Sequence, residues 1–352
     1  MNRRLWCFLG ACLVVGCSDT DGAPPTRTYR MGFSAIPPRN DLTVALASLN
    51  LWATRADAGI MHLSIPWTVL LGGTAAETEV RTVQLPLAQF YRGHGFALMV
   101  TLDPTDGLNR AQEDPALNAA GRSIADTAIQ RLYRTYVTAI DTILHPDYLG
   151  LAAETNLIRA AAPDAVYAAV VTMTNDAAAE QRGLGTTSRL YVSVQVEVAW
   201  GRLAGAGPYV GIAQDRADFP FIDAVGLSSY PYLAGFADPA DLPDDYYSRL
   251  VEPPQLAVMV VEGGWPSMSA GTFVTSPSKQ AQYLHRQGQL LDRAAAIGVF
   301  QLTFTDIDLV ASPPPPGSIL PLFATLGLVD TALIPKPSLA SWDSLFDRRL
   351  RP

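Results

Sequence analysis

Cysteine is nearly absent from this sequence. The chain of 352 residues contains three, Cys7, Cys12 and Cys17, and all of them lie near its start. The chain after residue 17 therefore folds without a disulfide and depends on its hydrophobic core. Charged residues are also sparse, at 16%, and 33 acids against 25 bases give a net charge of −8. Because an acidic chain repels phosphate backbones and anionic head groups, we do not expect a nucleic acid partner; a neutral or cationic ligand fits better.

Long apolar runs are missing as well. Beyond the N-terminal segment, no stretch reaches transmembrane length without a charge or a proline, so we expect the body of the protein to lie outside the membrane. Hydrophobic residues make up 49% of the chain, which is enough for a large core. The composition therefore excludes a disordered or fibrous protein.

The N-terminal segment has the pattern of an export signal. Arg3 and Arg4 precede a short apolar run over residues 5–15, which is too brief to span a bilayer. The run closes on Leu13–Cys17, which reads Leu-Val-Val-Gly-Cys and resembles a bacterial lipobox, although Val14 stands where Leu is usual. The resemblance implies that Cys17 is lipidated and becomes the new N-terminus. An ordinary cleaved signal peptide with an incidental cysteine is the alternative.

The residues that follow predict a tether and a location. Ser18, rather than Asp, follows the cysteine and favours the outer membrane of the cell envelope. We interpret residues 1–16 as the lipoprotein signal peptide and residues 17–28, rich in Gly, Pro and Thr, as a flexible tether.

The rest of the chain repeats a strand followed by a helix. Ala- and Leu-rich stretches with helical spacing, such as 42–52, 122–143, 165–181 and 279–296, separate most of the apolar, β-rich runs. The eight predicted strands are Tyr29–Ile36, Ala58–Ile65, Phe96–Leu102, Tyr148–Ala153, Leu190–Val198, Phe221–Leu227, Gln255–Val261 and Val299–Phe304. Their apolar character suits parallel strands that helices cover on both faces.

Eight such units predict an α/β fold of the closed (β/α)8 TIM-barrel type. The competing doubly wound sheet needs a Gly-rich turn after its first strand, whereas residues 34–39 read Ser-Ala-Ile-Pro-Pro-Arg. No change in composition divides the chain, so we expect one domain over residues 29–347 and a C-terminal tail over 348–352. Such barrels carry their chemistry at the carboxyl ends of the strands.

Two predicted strands end on a glutamate. Glu154 follows the fourth strand and Glu262 ends the seventh. Each carboxylate is costly at the end of a buried strand unless hydrogen bonds, a partner or water satisfy it. The two strands face each other across the mouth of an eight-stranded barrel, where a pair of carboxyls could act as acid/base and nucleophile on a glycosidic bond. A salt bridge or a helix cap is the alternative for either residue alone.

Two motifs carry a resemblance to a known group. Residues 260–266, Val-Val-Glu-Gly-Gly-Trp-Pro, resemble the nucleophile strand of the clan A glycoside hydrolases. Residues 221–232 resemble the sixth strand of that clan, most closely in the arabinogalactan endo-β-1,4-galactanases. The resemblance implies that Glu262 is the nucleophile, that Glu154 is the acid/base, and that the Tyr230 hydroxyl orients Glu262 and eases departure of the sugar.

The chain departs from this family pattern at two places. Ala153 stands before Glu154, where relatives have an Asn that hydrogen-bonds the sugar 2-hydroxyl. Asn156 matches an Asn that follows the acid/base in the galactanase-like pattern, and we include it as a substrate-binding candidate. The eighth strand lacks the Trp that stacks under the sugar in many relatives, and Phe304 could provide a smaller platform.

Three further candidates lie on earlier strands or just past them. His62 alternates with apolar neighbours and is either a ligand of the substrate or a hydrogen-bonded residue of the core or rim. Trp67 could stack on a sugar ring or cap the barrel. Asp103 ends the third strand and could bind a hydroxyl or open a turn.

Three more candidates lie on later strands. Gln195 and Glu197 share a face of the fifth strand and could both point into the barrel mouth, with Glu197 as a third active-site carboxylate. Trp265 follows the proposed nucleophile and could line the cleft or pack behind the loop.

The sequence therefore predicts a retaining glycosidase that acts on a β-linked poly- or oligosaccharide. A catalytically weak or inactive carbohydrate-binding surface lipoprotein is the alternative, which Ala153 favours, and a structural envelope protein without a ligand is a third possibility. We expect no cofactor, a monomer, and membrane attachment only through the lipid anchor. We predict no metal, since Asp106, Asp306 and Asp308 lack the spacing of a known ligand motif.

Overall fold

A computed structural model describes residues 25–203, 207–252 and 256–351. Eight parallel strands, β2 to β9, close into a barrel in sequence order, and two outlying strands, β1 and β10, form a small parallel sheet. The strands are β1 (Thr26–Arg27), β2 (Arg30–Ser34), β3 (Ala58–Ser64), β4 (Ala97–Asp103), β5 (Tyr148–Gly150), β6 (Arg189–Gln195), β7 (Ala224–Ser229), β8 (Ala257–Gly263), β9 (Gly298–Gln301) and β10 (Arg349–Leu350). Each predicted strand overlaps one barrel strand, so the predicted (β/α)8 TIM barrel is confirmed.

Helices cover the outside of the barrel. The α-helices are α1 (Leu42–Trp52), α2 (Trp67–Leu71), α3 (Ala76–Glu79), α4 (Leu85–Gly93), α5 (Pro115–Ala119), α6 (Thr127–Leu144), α7 (Thr155–Ala161), α8 (Asp164–Leu184), α9 (Val196–Ala199), α10 (Ala213–Asp218), α11 (Ser248–Val251), α12 (Pro277–Arg293) and α13 (Pro337–Phe346). Short 3-10 turns span Ala53–Arg55, Pro231–Ala234, Pro239–Asp241 and Leu320–Leu322, and a π-helical turn spans Val80–Gln84.

Local sequence explains where these helices begin and end. The Asp41 side chain accepts hydrogen bonds from the first backbone N–H groups of α1, and Ser276 does the same for α12 just before Pro277. Gly185, with φ of 77°, ends α8 in the left-handed conformation. Buried residues of α6 recur every three or four positions and pack on the barrel.

The barrel interior is packed with side chains that alternate along the strands. Its apolar cluster consists of Ala58, Ile60, Ala97, Met99, Tyr191, Ala224, Met259, Val261 and Phe300. Gly150 makes room for the ring of Tyr191, since a Cβ at this glycine would lie 2.6 Å from that ring. The Tyr191 hydroxyl bonds Thr101 Oγ1 at 2.5 Å. The interior is therefore a solid floor, and any cavity lies above it, at the carboxyl ends of the strands.

The chain enters the barrel at the opposite end from that mouth. Arg27 of β1 forms an ion pair with Asp57 at 2.8 Å, and Thr28 donates to the Ala296 carbonyl at 2.8 Å; Asp57 and Ala296 both lie just before barrel strands begin. The predicted signal peptide, Cys17 and the rest of the predicted tether up to residue 24 lie outside the described residues. None of the described helices is both long enough and apolar enough to cross a membrane.

Candidate active site

A cavity of about 680 Å³ opens at the carboxyl ends of the barrel strands. Its volume lies within the ~300–1,000 Å³ typical of small-molecule sites. Six residues predicted from the sequence line it, namely His62, Asp103, Glu154, Gln195, Tyr230 and Glu262. The barrel therefore brings both predicted catalytic carboxyls into one open space.

Glu154 lies just beyond β5 in a strained backbone conformation. Its φ of 48° and ψ of 47° place it in the left-handed region, which costs a non-glycine residue about 1–3 kcal/mol. The Ser193 hydroxyl oxygen accepts a hydrogen bond from the Glu154 backbone N–H at 2.9 Å and holds this turn in place. The residue is only 8% exposed. The surrounding structure thus holds a buried acid at a position that is unfavourable on its own, as is common at functional sites.

Glu262 reaches the mouth through a β-bulge. Met259 and Val261 point into the barrel, so regular alternation would turn Glu262 outward. Between β7 and β8 the register shifts, because Leu227 pairs with Val260 whereas Ser228 pairs with Glu262. The bulge re-aims the glutamate toward the cavity, as bulges next to active sites commonly do.

Ser228 bridges the two glutamates. Its Oγ lies 2.6 Å from Glu154 Oε1 and 2.7 Å from Glu262 Oε1. The two carboxyl oxygens are therefore no further apart than the sum of these distances. This bound is below the ~6.5–9.5 Å separation of inverting glycosidases and is compatible with the ~5–5.5 Å of retaining ones.

The bridge also constrains protonation. A serine hydroxyl has one hydrogen, so Ser228 donates to one carboxyl at a time, and the second contact is favourable only if the other carboxyl is protonated and donates to Ser228. Burial raises the pKa of Glu154 and of Glu262 above the ordinary range, and the Ser228 hydrogen bond lowers both. The geometry therefore fits a pair of carboxyls that shares one proton.

Arg110 forms an ion pair with one member of this pair. Its Nε donates to Glu154 Oε2 at 2.9 Å, and its Nη1 donates to Asp103 Oδ2 at 2.5 Å and to Thr105 Oγ1 at 3.1 Å. Burial alone would lower the pKa of Arg110, but the two carboxylates raise it, so the guanidinium stays charged. Arg110 opposes the rise in the pKa of Glu154. The positive charge thus favours negative charge on Glu154.

The surroundings of Glu262 are different. His62 Nε2 lies 3.8 Å from Glu262 Oε2, but burial lowers the pKa of His62 to about 4, so the imidazole is neutral near pH 7. Neither ring nitrogen of His62 has a hydrogen-bond partner among the described residues. Burial, and then the charge of Glu262, raise the pKa of Tyr230 well above 10. No hydrogen bond within the described chain joins the Tyr230 hydroxyl to Glu262, and the Gln195 amide oxygen already accepts from the Val198 N–H at 3.0 Å.

Two polar candidates do not line the cavity. Asn156 uses its whole amide on the backbone of Gln195, donating to the carbonyl at 2.8 Å and accepting from the N–H at 2.7 Å. Glu197 does not share a strand face with Gln195, because β6 ends at Gln195 and Glu197 belongs to α9. It is fully buried and accepts from the Tyr230 N–H at 3.0 Å and from the Tyr246 hydroxyl at 2.7 Å. Both residues support the site from behind.

The three aromatic candidates are also buried away from the cavity, each with about 1% exposure. Trp67 begins α2. Trp265 donates to Thr275 Oγ1 at 2.8 Å and packs against aromatic rings. Phe304 packs edge-on against Phe33, with ring centroids 5.0 Å apart. All three rings belong to the buried hydrophobic core, so none of them forms a platform in the cavity.

Sequence reasoning missed Arg110 and Ser228. Ser228 lies on the inward-facing alternation of β7, two positions before Tyr230, so counting alternate residues from Ala224 would have found it. Arg110 lies in the long loop between β4 and α5 and has no periodic signal. Within the described part of the chain, no group of three or more His, Cys, Asp or Glu residues is arranged to hold a metal ion.

No protein-family model matches this chain. No curated protein matches it either. Solved structures do resemble it over most of its length. An exo-β-1,4-mannosidase from Opitutaceae bacterium strain TAV5 is 16% identical with a TM-score of 0.63 over 93% of this chain and 61% of its own. Xylanase 10B from Thermotoga maritima is 15% identical with a TM-score of 0.61 over 91% of this chain and 95% of its own. A family 39 glycoside hydrolase from Bacteroides cellulosilyticus WH2 is 17% identical with a TM-score of 0.59 over 91% and 63%.

These structures are TIM-barrel glycoside hydrolases of clan A. The chain spans less than two thirds of the mannosidase and of the family 39 protein, and nearly all of the xylanase. Similarity at this level of identity establishes architecture, and the nearer resemblance to the galactanases stays a prediction. The chain has the (β/α)8 barrel fold that these clan A glycoside hydrolases share.

Proposed function

We propose that this protein is a retaining glycoside hydrolase that cleaves a β-linked poly- or oligosaccharide or glycoside. One observation carries the proposal. Two buried carboxyls, Glu154 and Glu262, share the Ser228 hydroxyl at 2.6 and 2.7 Å in the mouth of the barrel. The resulting separation suits attack by one carboxylate while the other protonates the leaving oxygen on the same molecule.

The proposed mechanism has two steps. Ionised Glu262 attacks the anomeric carbon while Glu154 gives its proton to the glycosidic oxygen, which releases the aglycone and leaves a glycosyl ester on Glu262. Glu154, now a carboxylate, then removes a proton from water. That water attacks the anomeric carbon, releases the sugar with its original configuration and restores ionised Glu262 and protonated Glu154.

The shared proton must lie on Glu154 when the first step begins. Arg110 favours the opposite distribution, with Glu154 ionised. Ser228 contacts both carboxyls and offers a path by which one proton moves from Glu262 to Glu154. We propose that a bound substrate completes this transfer by excluding water from the carboxyl pair, which further favours the neutral form of Glu154.

The test measures the stereochemistry of hydrolysis. A panel of 4-nitrophenyl β-glycosides and β-1,4-galactan is incubated with the protein, and proton NMR identifies the first anomer that forms. Retention with labelling of Glu262 by a 2-fluoro sugar supports the proposal. An inverted first product, or labelling of another residue, contradicts it.

A carbohydrate-binding protein without turnover is the second candidate. Ala153 lines the cavity and has no amide for the sugar 2-hydroxyl, and the Arg110 ion pair lowers the pKa of the proposed acid against the effect of burial. Measurable affinity for a sugar, combined with no hydrolysis and no labelling by the fluoro sugar, would select this function.

We also propose that the protein is an exported lipoprotein, anchored through Cys17 in the cell envelope, most favourably the outer membrane. The lipobox-like sequence supports this, and β1 enters the barrel opposite the cavity, so an anchor there leaves the mouth accessible. Radiolabelled palmitate should label the wild type and Cys12→Ala but not Cys17→Ala. Equal labelling of all three would contradict the proposal.

A further inference from the structure

Most of the side chains that line the cavity away from the carboxyl pair are aliphatic, with Ser64 and Asn109 as polar exceptions. The lining side chains there come from the loops and helices after five different barrel strands. They include Leu108 after β4, Leu157 after β5, Leu203 after β6, Leu233 after β7, and Ile319 and Leu322 after β9. We call these six residues the apolar rim. Because separate loops contribute to it, the rim is not a by-product of one hydrophobic segment.

Part of the rim is exposed to solvent. Leu108 is 45% exposed and Ile319 is 42% exposed, and both line the same opening. Single exposed aliphatic residues are ordinary, but several around one concave opening mark a place where an apolar group is bound. Apart from the His62 imidazole, the only aromatic rings that line the cavity, among the described residues, are those of Tyr230 and Phe323.

The two parts of the cavity suit different chemistry. A sugar loses hydrogen bonds with water when it is buried, so its hydroxyls need polar partners. The carboxyl pair and the unpartnered ring nitrogens of His62 offer such partners at the floor of the cavity. The rim offers almost none, so a sugar there would have its hydroxyls against methyl groups. A hydrocarbon group gains from the same contact because it leaves water.

We infer that the substrate is a β-glycoside whose aglycone is an aliphatic hydrocarbon, with the sugar on the polar floor and the aglycone in the apolar rim. This inference rests on the proposed glycosidase function and specifies its substrate class. A free glycoside and a glycolipid in a bilayer share this chemistry, and the experiment separates them.

The experiment measures binding and hydrolysis separately. Isothermal titration calorimetry of the full-length protein compares methyl, hexyl and octyl β-thioglycosides of glucose, galactose, mannose and xylose, which resist hydrolysis. Burial of hydrocarbon predicts an affinity gain of up to roughly fourfold for each methylene that leaves water. We therefore expect octyl to bind at least about tenfold more tightly than methyl for the preferred sugar.

Rim variants locate the effect. The double variant Leu108→Asn with Ile319→Asn should reduce the octyl-to-methyl affinity ratio at least fivefold. The matched control, Leu184→Asn with Ile334→Asn, changes two side chains that are 60% exposed and lie outside the cavity lining, and it should keep the ratio. An octyl-to-methyl ratio near one in the wild type, or an unchanged ratio in the rim variant, would overturn the inference.

Hydrolysis of the matching oxygen glycosides separates this inference from the proposed function. Chain-length-dependent binding without hydrolysis supports the rim and rejects the hydrolase. Hydrolysis with equal kcat/KM for methyl and octyl glycosides supports the hydrolase and rejects binding of the aglycone in the apolar rim. Presenting the octyl glycosides below their micellar concentration or in phosphatidylcholine vesicles distinguishes a free from a membrane-borne substrate. Binding to vesicles without any affinity for free octyl glycosides would overturn the inference in favour of a membrane-contacting rim.

Discussion

The ends of β5 and β8 deliver the same functional group by different routes. Glu154 continues the inward alternation of its strand, has a left-handed backbone conformation and lies beside the charged guanidinium of Arg110. Glu262 breaks the alternation of its strand, arrives through a bulge and faces a neutral imidazole. Arg110 opposes the burial-raised pKa of both acids, but it forms an ion pair with Glu154 alone. The difference shows that the two acids are distinguished by their neighbours rather than by their strands.

Replacement of either glutamate tests whether the two acids have different roles, and it should have the largest effect on kcat/KM. Glu154→Gln and Glu262→Gln should each reduce kcat/KM at least about a thousandfold on a substrate with a poor leaving group. A 2,4-dinitrophenyl glycoside needs no acid, so it should restore glycosylation in the Glu154 variant only. Equal rescue of both variants by this leaving group would show that the two roles are not divided between the two residues.

Azide gives a second readout of the same division. Added to Glu154→Ala, it should intercept the glycosyl ester and yield a glycosyl azide of retained configuration. Added to Glu262→Ala, it should attack from the vacated side and yield the inverted azide. If Glu154 were the nucleophile and Glu262 the acid/base, the Glu154 variant would give the inverted azide and the Glu262 variant the retained one.

Replacement of Arg110 should make the electrostatic environments of Glu154 and Glu262 more alike. Arg110→Met leaves Asp103 and Glu154 without their partner, and breaking a buried ion pair costs about 3–5 kcal/mol of unfolding free energy near pH 7. Arg110 lowers the pKa of Glu154, so its loss raises that pKa and keeps the acid protonated to higher pH. The alkaline limb of the kcat/KM profile should therefore move to higher pH.

Chemical denaturation at several pH values and steady-state kinetics check this prediction. Arg122→Met removes an exposed ion pair with Asp126 and serves as the control, with little change expected in either measurement. An alkaline limb that stays in place in Arg110→Met would show that Arg110 does not control the ionisation of Glu154.

Replacement of Ser228, which bridges the two carboxyls, should weaken the coupling between Glu154 and Glu262. A hydrogen bond to a charged group contributes about 1.5–3 kcal/mol, so Ser228→Ala should reduce kcat/KM roughly ten- to a hundredfold. Ser228 lowers the pKa of both glutamates, and its loss should move both limbs of the pH profile upward. Ser229→Ala, whose hydroxyl contacts Tyr247 and neither glutamate, should leave the limbs in place. Identical profiles for the two variants would exclude a role for the bridge.

A third buried glutamate, Glu197, does not line the cavity and shows what burial does to a carboxyl outside the catalytic pair. Burial raises the pKa of Glu197 to about 7 from an ordinary value of about 4.5. The folded state therefore binds this proton more tightly than the unfolded state, so its contribution to stability is complete below pH 4.5 and declines as pH rises through 7. Glu197→Gln removes the decline and should be more stable than the wild type at pH 8, by up to about 3 kcal/mol relative to their difference at pH 4.5.

Urea denaturation at the two pH values measures the change. The glutamine can still accept from Tyr230 and Tyr246, so activity should remain near that of the wild type. A loss of activity comparable to that of Glu262→Gln would instead place Glu197 among the catalytic groups.

Much of the site could be predicted from the sequence because strand periodicity is local. Five polar side chains that face the mouth continue the inward alternation of their strands: His62, Asp103, Glu154, Gln195 and Ser228. The aromatic candidates failed for an equally local reason. A Trp or Phe just past a strand can turn toward the cavity or the helices, and residues 67, 265 and 304 all pack among other buried side chains.

The sequence by itself determined the eight strand–helix units and placed two glutamates at the ends of opposite strands, since both follow from patterns within about ten residues. Tertiary structure decided the environment of each. Arg110 meets Glu154 across 44 positions of the chain, and Ser228 meets Glu154 across 74. Only closure of the barrel brings such groups together, and only pairing between β7 and β8 creates the bulge that turns Glu262 inward. Charge, hydrogen bonding and burial, which set the pKa of each acid, depend on those distant neighbours.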